Sequence, residues 1–395
     1  MKSLKYIIVP VILFLMCQTA FADGTKDNPV LRAARSVLTL IDSMSVSGID
    51  RRYIDVPARP WQVVIRGNVN RASLDMSSTI DGGSLFLDLT GNFKSEPHIT
   101  SGSDLYAGVW AGYRGYGLGY MSHVSGAGKG SLFTLGATGG CYGINFRRHT
   151  FETDEFDVYT QGQKIDGTPI DTTMAAFVFR PIRVKSFILD GYYMFNSRRF
   201  SYAAAYDQSA YQLRSAGSLM VGAMYYYSHI NYEDPLNADM ILNMDNIGRM
   251  RQWQVSLGGG YAYNYVPVRG VLISGMLMPM LTFYNRMKIY RYDSKMRQMA
   301  EAEETFDEED AAALLIDVLS NPAAMQLKPD TQRPVETQTS RVALNFNARA
   351  SLTYNLGEWS YVNVFGQLYN FRFSHEQNHG ALTEWFVNAA LGLRF

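Results

Sequence analysis

The sequence is short of three things. Charged residues make up 18 % of the 395 positions, cysteine occurs only at Cys17 and Cys141, and after residue 22 no long uninterrupted apolar run remains. The last shortage excludes a downstream membrane helix, which needs roughly 18 or more consecutive apolar residues. Two cysteines give no disulfide framework, and 36 basic residues against 36 acidic ones give no basic surface for nucleic acid. The chain is instead rich in strand formers and interface aromatics, with 26 Tyr, 21 Phe and 34 Gly. A soluble chain of this length would form two or three domains, whereas a closed barrel can be one.

Residues 1–22 read as a signal peptide. Lys2 and Lys5 precede an apolar core from Tyr6 to Met16, and Ala20-Phe21-Ala22 is a small-residue cleavage site, so the mature chain is expected to begin at Asp23. Met16 stands before Cys17 where a lipoprotein would have a small residue. Cleavage leaves Cys141 without an intramolecular partner. Residues 23–60 form an expected periplasmic segment: Val30, Leu31, Ala34, Val37, Leu38, Ile41 and Met44 recur at helical spacing behind Asn28-Pro29, which predicts a short helix under the barrel mouth.

From Trp61 onward the apolar period is two, the period of a strand. Such runs fall near 61–70, 82–93, 104–113, 115–124, 131–138, 141–151, 174–180, 184–195, 199–206, 217–229, 251–265, 270–284, 341–356, 359–373 and 382–395, with 152–173 as a polar loop. The terminal run is the plainest. Trp385, Val387, Ala389, Leu391, Leu393 and Phe395 alternate with Glu384, Asn388, Gly392 and Arg394, and Val342 to Leu356 alternates in the same way with Arg341, Asn345 and Arg349.

Tight turns at 266–269 and 357–358 and polar stretches at 230–249, 285–339 and 374–381 match short periplasmic turns and long outer loops. Before residue 217 the alternation breaks. Asn196-Ser197-Arg198 reads as a tight turn, yet parity places it outside, so either a run there is miscounted or a short loop faces out. The expectation is an all-β transmembrane antiparallel barrel of about 12 strands, within 10–14, over 61–395.

One segment carries a resemblance. Arg199-Phe200-Ser201-Tyr202, Ala204, Asp207-Gln208-Ser209, Gln212, Arg214 and Ser215-Ala216-Gly217-Ser218 resemble the hallmark of domain-of-unknown-function family 4421, a family of Gram-negative outer-membrane β-barrels. Gly260-Tyr261-Ala262-Tyr263-Asn264 and Asp50-Arg51-Arg52-Tyr53-Ile54-Asp55 resemble it too. The resemblance implies the barrel and the outer membrane. It implies no activity, since the family has none assigned.

Few residues suggest chemistry. His123 and Ser125, two apart on one strand, could pair a base with a hydroxyl nucleophile, a spacing similar to that of outer-membrane lipid hydrolases. Gly126 follows where those enzymes usually have Asn. With Tyr116, Leu118 and Tyr120 as the lipid face, His123 would point into the lumen, away from acyl chains; a strand-end histidine is the plainer reading. Glu301 to Asp310 holds seven carboxylates without a calcium-loop glycine, and Thr305-Phe306-Asp307-Glu308 reads as a capping box opening a loop helix outside the barrel or in its mouth. His375 and His379 read as solvated loop residues rather than a metal pair.

Arg341, Asn345, Arg349, Glu384, Asn388 and Arg394 are the expected lumen residues, able to line a water channel or to lock a plug. Trp385, Leu391, Leu393 and Phe395 resemble the terminal signal that barrels offer to the assembly machinery. Three functions follow: a passive channel for an unidentified small solute, a structural or surface-interaction barrel acting through its long loops, and a lipid hydrolase using His123 and Ser125. The expected partners are outer-membrane lipid and the assembly machinery, with no nucleic acid, no cofactor and no metal.

Overall fold

The computed structural model describes residues 29–80, 89–126, 129–175, 178–234, 237, 241, 247–293, 328–329, 335–339, 342–375 and 378–395. The chain opens with helix α1 (Pro29–Val46) and the two-residue strand β1 (Ile54–Asp55). There follow β2 (Trp61–Ile80), β3 (Leu89–Thr100), β4 (Asp104–Tyr113), β5 (Tyr116–Ser125), β6 (Gly130–Thr138), β7 (Tyr142–Thr153), β8 (Glu155–Lys164), β9 (Pro169–Ala175) and β10 (Ile182–Met194). A five-residue helix α2 (Tyr202–Tyr206) and β11 (Tyr211–Gln212) interrupt the strands before β12 (Ala216–Asn231), β13 (Ile247–Tyr265) and β14 (Val271–Asp293). The chain ends with β15 (Lys328–Pro329), β16 (Glu336–Thr339), β17 (Ala343–Asn355), β18 (Ser360–His375) and β19 (Asn378–Arg394).

Twelve strands make a closed ring in the order β2, β4, β5, β6, β7, β10, β12, β13, β14, β17, β18, β19. The last returns to the first, antiparallel, in a register that runs from Arg394 opposite Gln62 to His379 opposite Ser77. Closure removes the sheet edges, and antiparallel pairing satisfies every wall strand from its neighbours, which a bilayer requires. Above the ring at the end far from Trp61 and Phe395, the upper part of β2 pairs with β3, β3 with β8 and β8 with β9, so a four-stranded flap rises from the wall. The opposite end carries Trp61, Phe395 and the turns 113–116, 138–142, 265–271 and 355–360; it is the terminal end.

The wall is apolar outside. On β19, Val387, Leu391, Leu393 and Phe395 are exposed while Glu384, Asn388 and Arg394 are buried, and on β13 Leu257, Tyr261, Tyr263 and Tyr265 face out while Gln252, Gln254, Ser256 and Asn264 face in. An inverted pattern of this kind is that of a lipid-facing barrel, with the exposed tyrosines of β13 clustered toward the terminal end as an interfacial girdle. The inside is not uniformly polar. Met220, Met224, Met276, Met278, Met280, Tyr226 and Phe371 form one buried hydrophobic cluster within the ring.

The twelve-strand ring leaves out three of the fifteen alternating runs. Residues 199–206 are not a strand: Ser201 caps α2 by accepting from Ala204 N at 3.1 Å, and the following turn puts Gln208 at φ 58°. The odd connection near Asn196 is therefore one long terminal-end segment, 195–215, and the parity conflict disappears. The run 82–93 overlaps β3, which belongs to the flap, with 81–88 outside the described residues. The run 174–180 begins at the end of β9, also in the flap, and 152–173 is mostly strand rather than loop. The signal peptide, Arg341, and the acidic run with its expected helix lie outside the described residues.

Candidate functional site in the barrel interior

The segment 195–215 is anchored by its own polar residues. Asn196 donates its backbone N–H to Ser218 Oγ at 2.9 Å and its Nδ2 to Gly217 O at 2.8 Å. Gln212 ties the segment together: its Oε1 accepts from Ser201 N and from Asn264 Nδ2, both at 2.9 Å, and its Nε2 donates to Arg199 O and Arg214 O. β11 also pairs with β1, which attaches the chain's N-terminal segment to the same unit. Gly115 allows the close approach of this unit to the wall. It sits at φ 87°, and a Cβ there would fall 2.8 Å from Ser209 Oγ.

Folded this way, 195–215 is a plug. Phe200, Tyr202, Ala204 and Ala205 are buried, and Ser351 Oγ on β17 donates to Ala205 O at 2.7 Å. Arg394 reaches the plug from β19, donating to Tyr211 OH at 3.0 Å, Gln208 O at 2.9 Å and Asn355 Oδ1 at 3.0 Å. The residues that carry the family resemblance, from Arg199 to Gly217, are thus the plug and its attachment to β12.

Above the plug, charged side chains cross the lumen. Arg349 Nη2 lies 3.0 Å from both oxygens of Asp190, and Asp190 also accepts from Tyr369 OH at 2.8 Å and Asn145 Nδ2 at 2.7 Å. Tyr192 OH and the plug's Tyr202 OH accept from the same guanidinium. A buried ion pair is tolerated when further hydrogen bonds complete both partners, as they do here. Beside it, Glu384 Oε1 lies 3.2 Å from Arg147 and 3.4 Å from His149 Nδ1, and His149 bonds Tyr106 OH at 3.0 Å.

Of the expected lumen residues, Glu384, Arg349 and Arg394 occupy these networks. Asn388 Oδ1 accepts from Asn68 at 2.7 Å, and Asn345 bridges Gln254 at 2.8 Å and Thr282 at 2.7 Å. Their partners Asp190, Arg147 and His149 are the residues that sequence reasoning missed, while Tyr202 stood out only for the family resemblance; the available signal was a charge at inward parity in a strand, as Asp190 between Ile188 and Tyr192. His123 does face inward, 3.5 Å from Asp104 and edge-on to Tyr106. Ser125 is exposed, and a bulge separates the two, since Leu105 opposes Ser125 while Tyr106 opposes His123. His379 bonds Ser374 Oγ at 2.7 Å on the rim of a far-end vestibule of about 850 Å³ that Asp75, Glu96, His98, Asp157 and Arg372 also line. His375's side chain is outside those described, and among the described residues no cluster of histidine, cysteine and carboxylates is arranged to hold a metal. Leu391, Leu393 and Phe395 stand on the outer face, with Trp385 half-buried.

The protein is therefore a transmembrane barrel of twelve strands that is plugged by its own chain. Residues 89–395 match the family described as a domain of unknown function (DUF4421), and the chain belongs to that family. No curated protein matches the sequence. Among solved structures, the outer-membrane protease OmpT of Escherichia coli is similar at 8 % identity and a TM-score of 0.35, over 86 % of this chain and 97 % of that one. The β domain of the Bordetella autotransporter BrkA shares 10 % identity at 0.28, over 85 % and 100 % of the two chains. OprG of Pseudomonas aeruginosa shares 12 % at 0.26, over 88 % and 99 %. At such scores the barrel rests on its own strand pairing, and these neighbours carry no argument about chemistry.

Proposed function

We propose that the chain is an outer-membrane barrel of a Gram-negative bacterium, exported on residues 1–22, that acts by surface interaction at its far end rather than as a passive solute channel. The supporting observation is the bond from Tyr369 OH to Asp190 at 2.8 Å. Their strands, β18 and β10, stand five places apart in a ring of twelve, so the bond joins nearly opposite walls and, together with the plug beneath it, interrupts the water column. A passive channel needs a continuous column. On this reading the terminal end and its plug face the periplasm, and the flap of β3, β8 and β9 and the vestibule face outward.

Planar-bilayer recording of the pure refolded chain tests the proposal. The expected result is a stable, heat-modifiable barrel without steady conductance; persistent ohmic conductance would return the channel reading. We propose no hydrolytic role for His123 and Ser125, because the bulge separates them and His123 faces Asp104 in the interior. Lipid turnover that depended on Ser125 would overturn that.

A further inference from the structure

Between plug and wall lies a cavity of about 110 Å³, lined by Arg66 and Arg147 from the wall and by Tyr202, Tyr206 and Asp207 from the plug. Its cations are incompletely satisfied. Arg147 is 6 % exposed, and its Nε, Nη1 and Nη2 have no hydrogen-bond acceptor, the Glu384 contact at 3.2 Å being off line. Arg66 stands 5.1 Å from the Trp110 ring and makes no hydrogen bond or ion pair among the described residues. Guanidinium groups carry five donors each, and the buried Arg147 donors without acceptors cost free energy, while half-buried Arg66 offers its donors to the cavity. Across the cavity, Asp207 Oδ1 accepts from Ser209 N at 3.0 Å and from Ser209 Oγ, while Oδ2 makes no well-aligned hydrogen bond although the Thr138 hydroxyl faces the carboxyl.

We propose that this cavity binds one small oxyanion, the size of sulfate, phosphate or acetate, held by Arg66 and Arg147 and capped by the Asp207 carboxyl. The planar guanidinium fork matches an oxyanion's geometry. Size sets the upper limit: a cavity of about 150 Å³ accepts benzene, so this smaller one excludes aromatic acids. Charge points the same way. Asp190 is committed to Arg349, and Glu384 to Arg147 and His149, so among the arginines that line the cavity Arg66 is the one without a carboxylate partner whenever Asp207 is neutral.

Burial lifts the Asp207 carboxyl to about 6, against the hydroxyls of Ser209 and Thr138 and the charge of Arg66. The other titratable groups that face it are Tyr116 on β5, Tyr202 on α2 and Tyr361 on β18. Below that pH the neutral carboxyl can donate to an anion; above it the carboxylate repels one. Binding therefore tightens as pH falls, and the bound anion joins plug to wall.

The test is calorimetric titration of the refolded full chain in detergent with sodium sulfate and, separately, sodium acetate, at about pH 5 and about pH 8. Saturable one-site binding is expected at the lower pH and should be roughly tenfold or more weaker at the higher. Arg66→Met, checked for heat-modifiable folding, should lose about tenfold or more in affinity, and Asp207→Asn should bind with the pH difference removed. Absence of saturable heat at both pH values, or unchanged affinity in folded Arg66→Met, overturns the site. Should Arg66→Met not fold, wild-type crystals soaked in selenate decide the matter. An anomalous peak between Arg66 and Arg147 supports the site, and water alone there refutes it.

Discussion

Arg147 on β7 and Glu384 on β19 meet at 3.2 Å from strands that stand five places apart in a ring of twelve. In a barrel wide enough to conduct, two such side chains would each face water. Here they touch, with His149 3.4 Å from the same carboxylate oxygen and the Arg147 guanidinium 3.6 Å from the centre of the Phe386 ring. Wall charges thus serve as cross-struts, and the inward methionines of β14 belong to the buried cluster that also holds Phe386.

The strut formed by Arg349 and Asp190 should be worth most when half of it is removed. Asp190→Asn leaves a buried guanidinium without its counter-charge and is expected to cost about 3–5 kcal/mol, read from urea unfolding in detergent. The double variant Asp190→Leu with Arg349→Met removes both charges and should recover most of that loss. Equal destabilisation by the single and double variants would show that the pair's packing, not its charge balance, holds the wall.

Loosening the plug should open the lumen. Gln212 holds Ser201, Arg199, Arg214 and Asn264 at once, so Gln212→Ala removes these bonds of 195–215 while leaving the backbone pairing of the ring strands in place. The variant is expected to show flickering conductance in planar bilayers against a silent wild type. Gly115→Ala should act in the same direction, because the added Cβ meets Ser209 Oγ at 2.8 Å in a turn already at positive φ. Silence from both variants would place the block in the struts rather than the plug.

The sequence shows the wall far better than the filling. β17 is legible because apolar and polar residues alternate almost without exception, and β19 because its charges fall on one parity and its exposed apolar residues on the other, although Leu382 and Phe386 also face in. On β14, Leu277 and Leu281 face out while Met276, Met278 and Met280 face in; with both faces apolar, no contrast marks the interior. The plug was hidden for a different reason. Arg199-Phe200-Ser201-Tyr202 alternates like a strand, and what holds it as the capped start of α2 is contact with Arg349 and Asn264, far away in sequence. Glu384, Arg349 and Arg394 could be read as lumen charges from parity alone. Their pairing could not, since Asp190 lies 159 residues from Arg349 and contact across a lumen leaves no local signal.

Asp207 should make stability depend on pH. Burial raises its carboxyl from 3.8 to about 6 in the folded protein. Below about pH 4 folded and unfolded chains both hold the proton, and the group contributes no slope. Between about pH 4 and pH 6 only the folded chain still holds it, so the unfolded chain is favoured progressively as pH rises, by about 3 kcal/mol in total, after which the curve is flat. Asp207→Asn should remove this fall and unfold at a higher urea concentration than wild type at neutral pH. An unchanged pH profile in that variant would assign the slope to another group.

The closing contact of the ring makes the last prediction. Phe395 N donates to Trp61 O at 3.0 Å and Trp61 N to Phe395 O at 3.3 Å, so the final residue completes the seam between β19 and β2 while its ring stands on the lipid face beside Leu393. Deleting Phe395 removes both bonds and the outward aromatic together, whereas Phe395→Ala removes the aromatic alone. If the ring is a signal to the assembly machinery, both variants should fall several-fold in membrane-inserted, heat-modifiable barrel at unchanged expression, yet Phe395→Ala should refold in detergent as readily as wild type. If the seam bonds matter instead, Phe395→Ala should assemble normally in cells and the deletion should fail in both settings. Comparing cellular assembly with detergent refolding for the two variants separates recognition from closure.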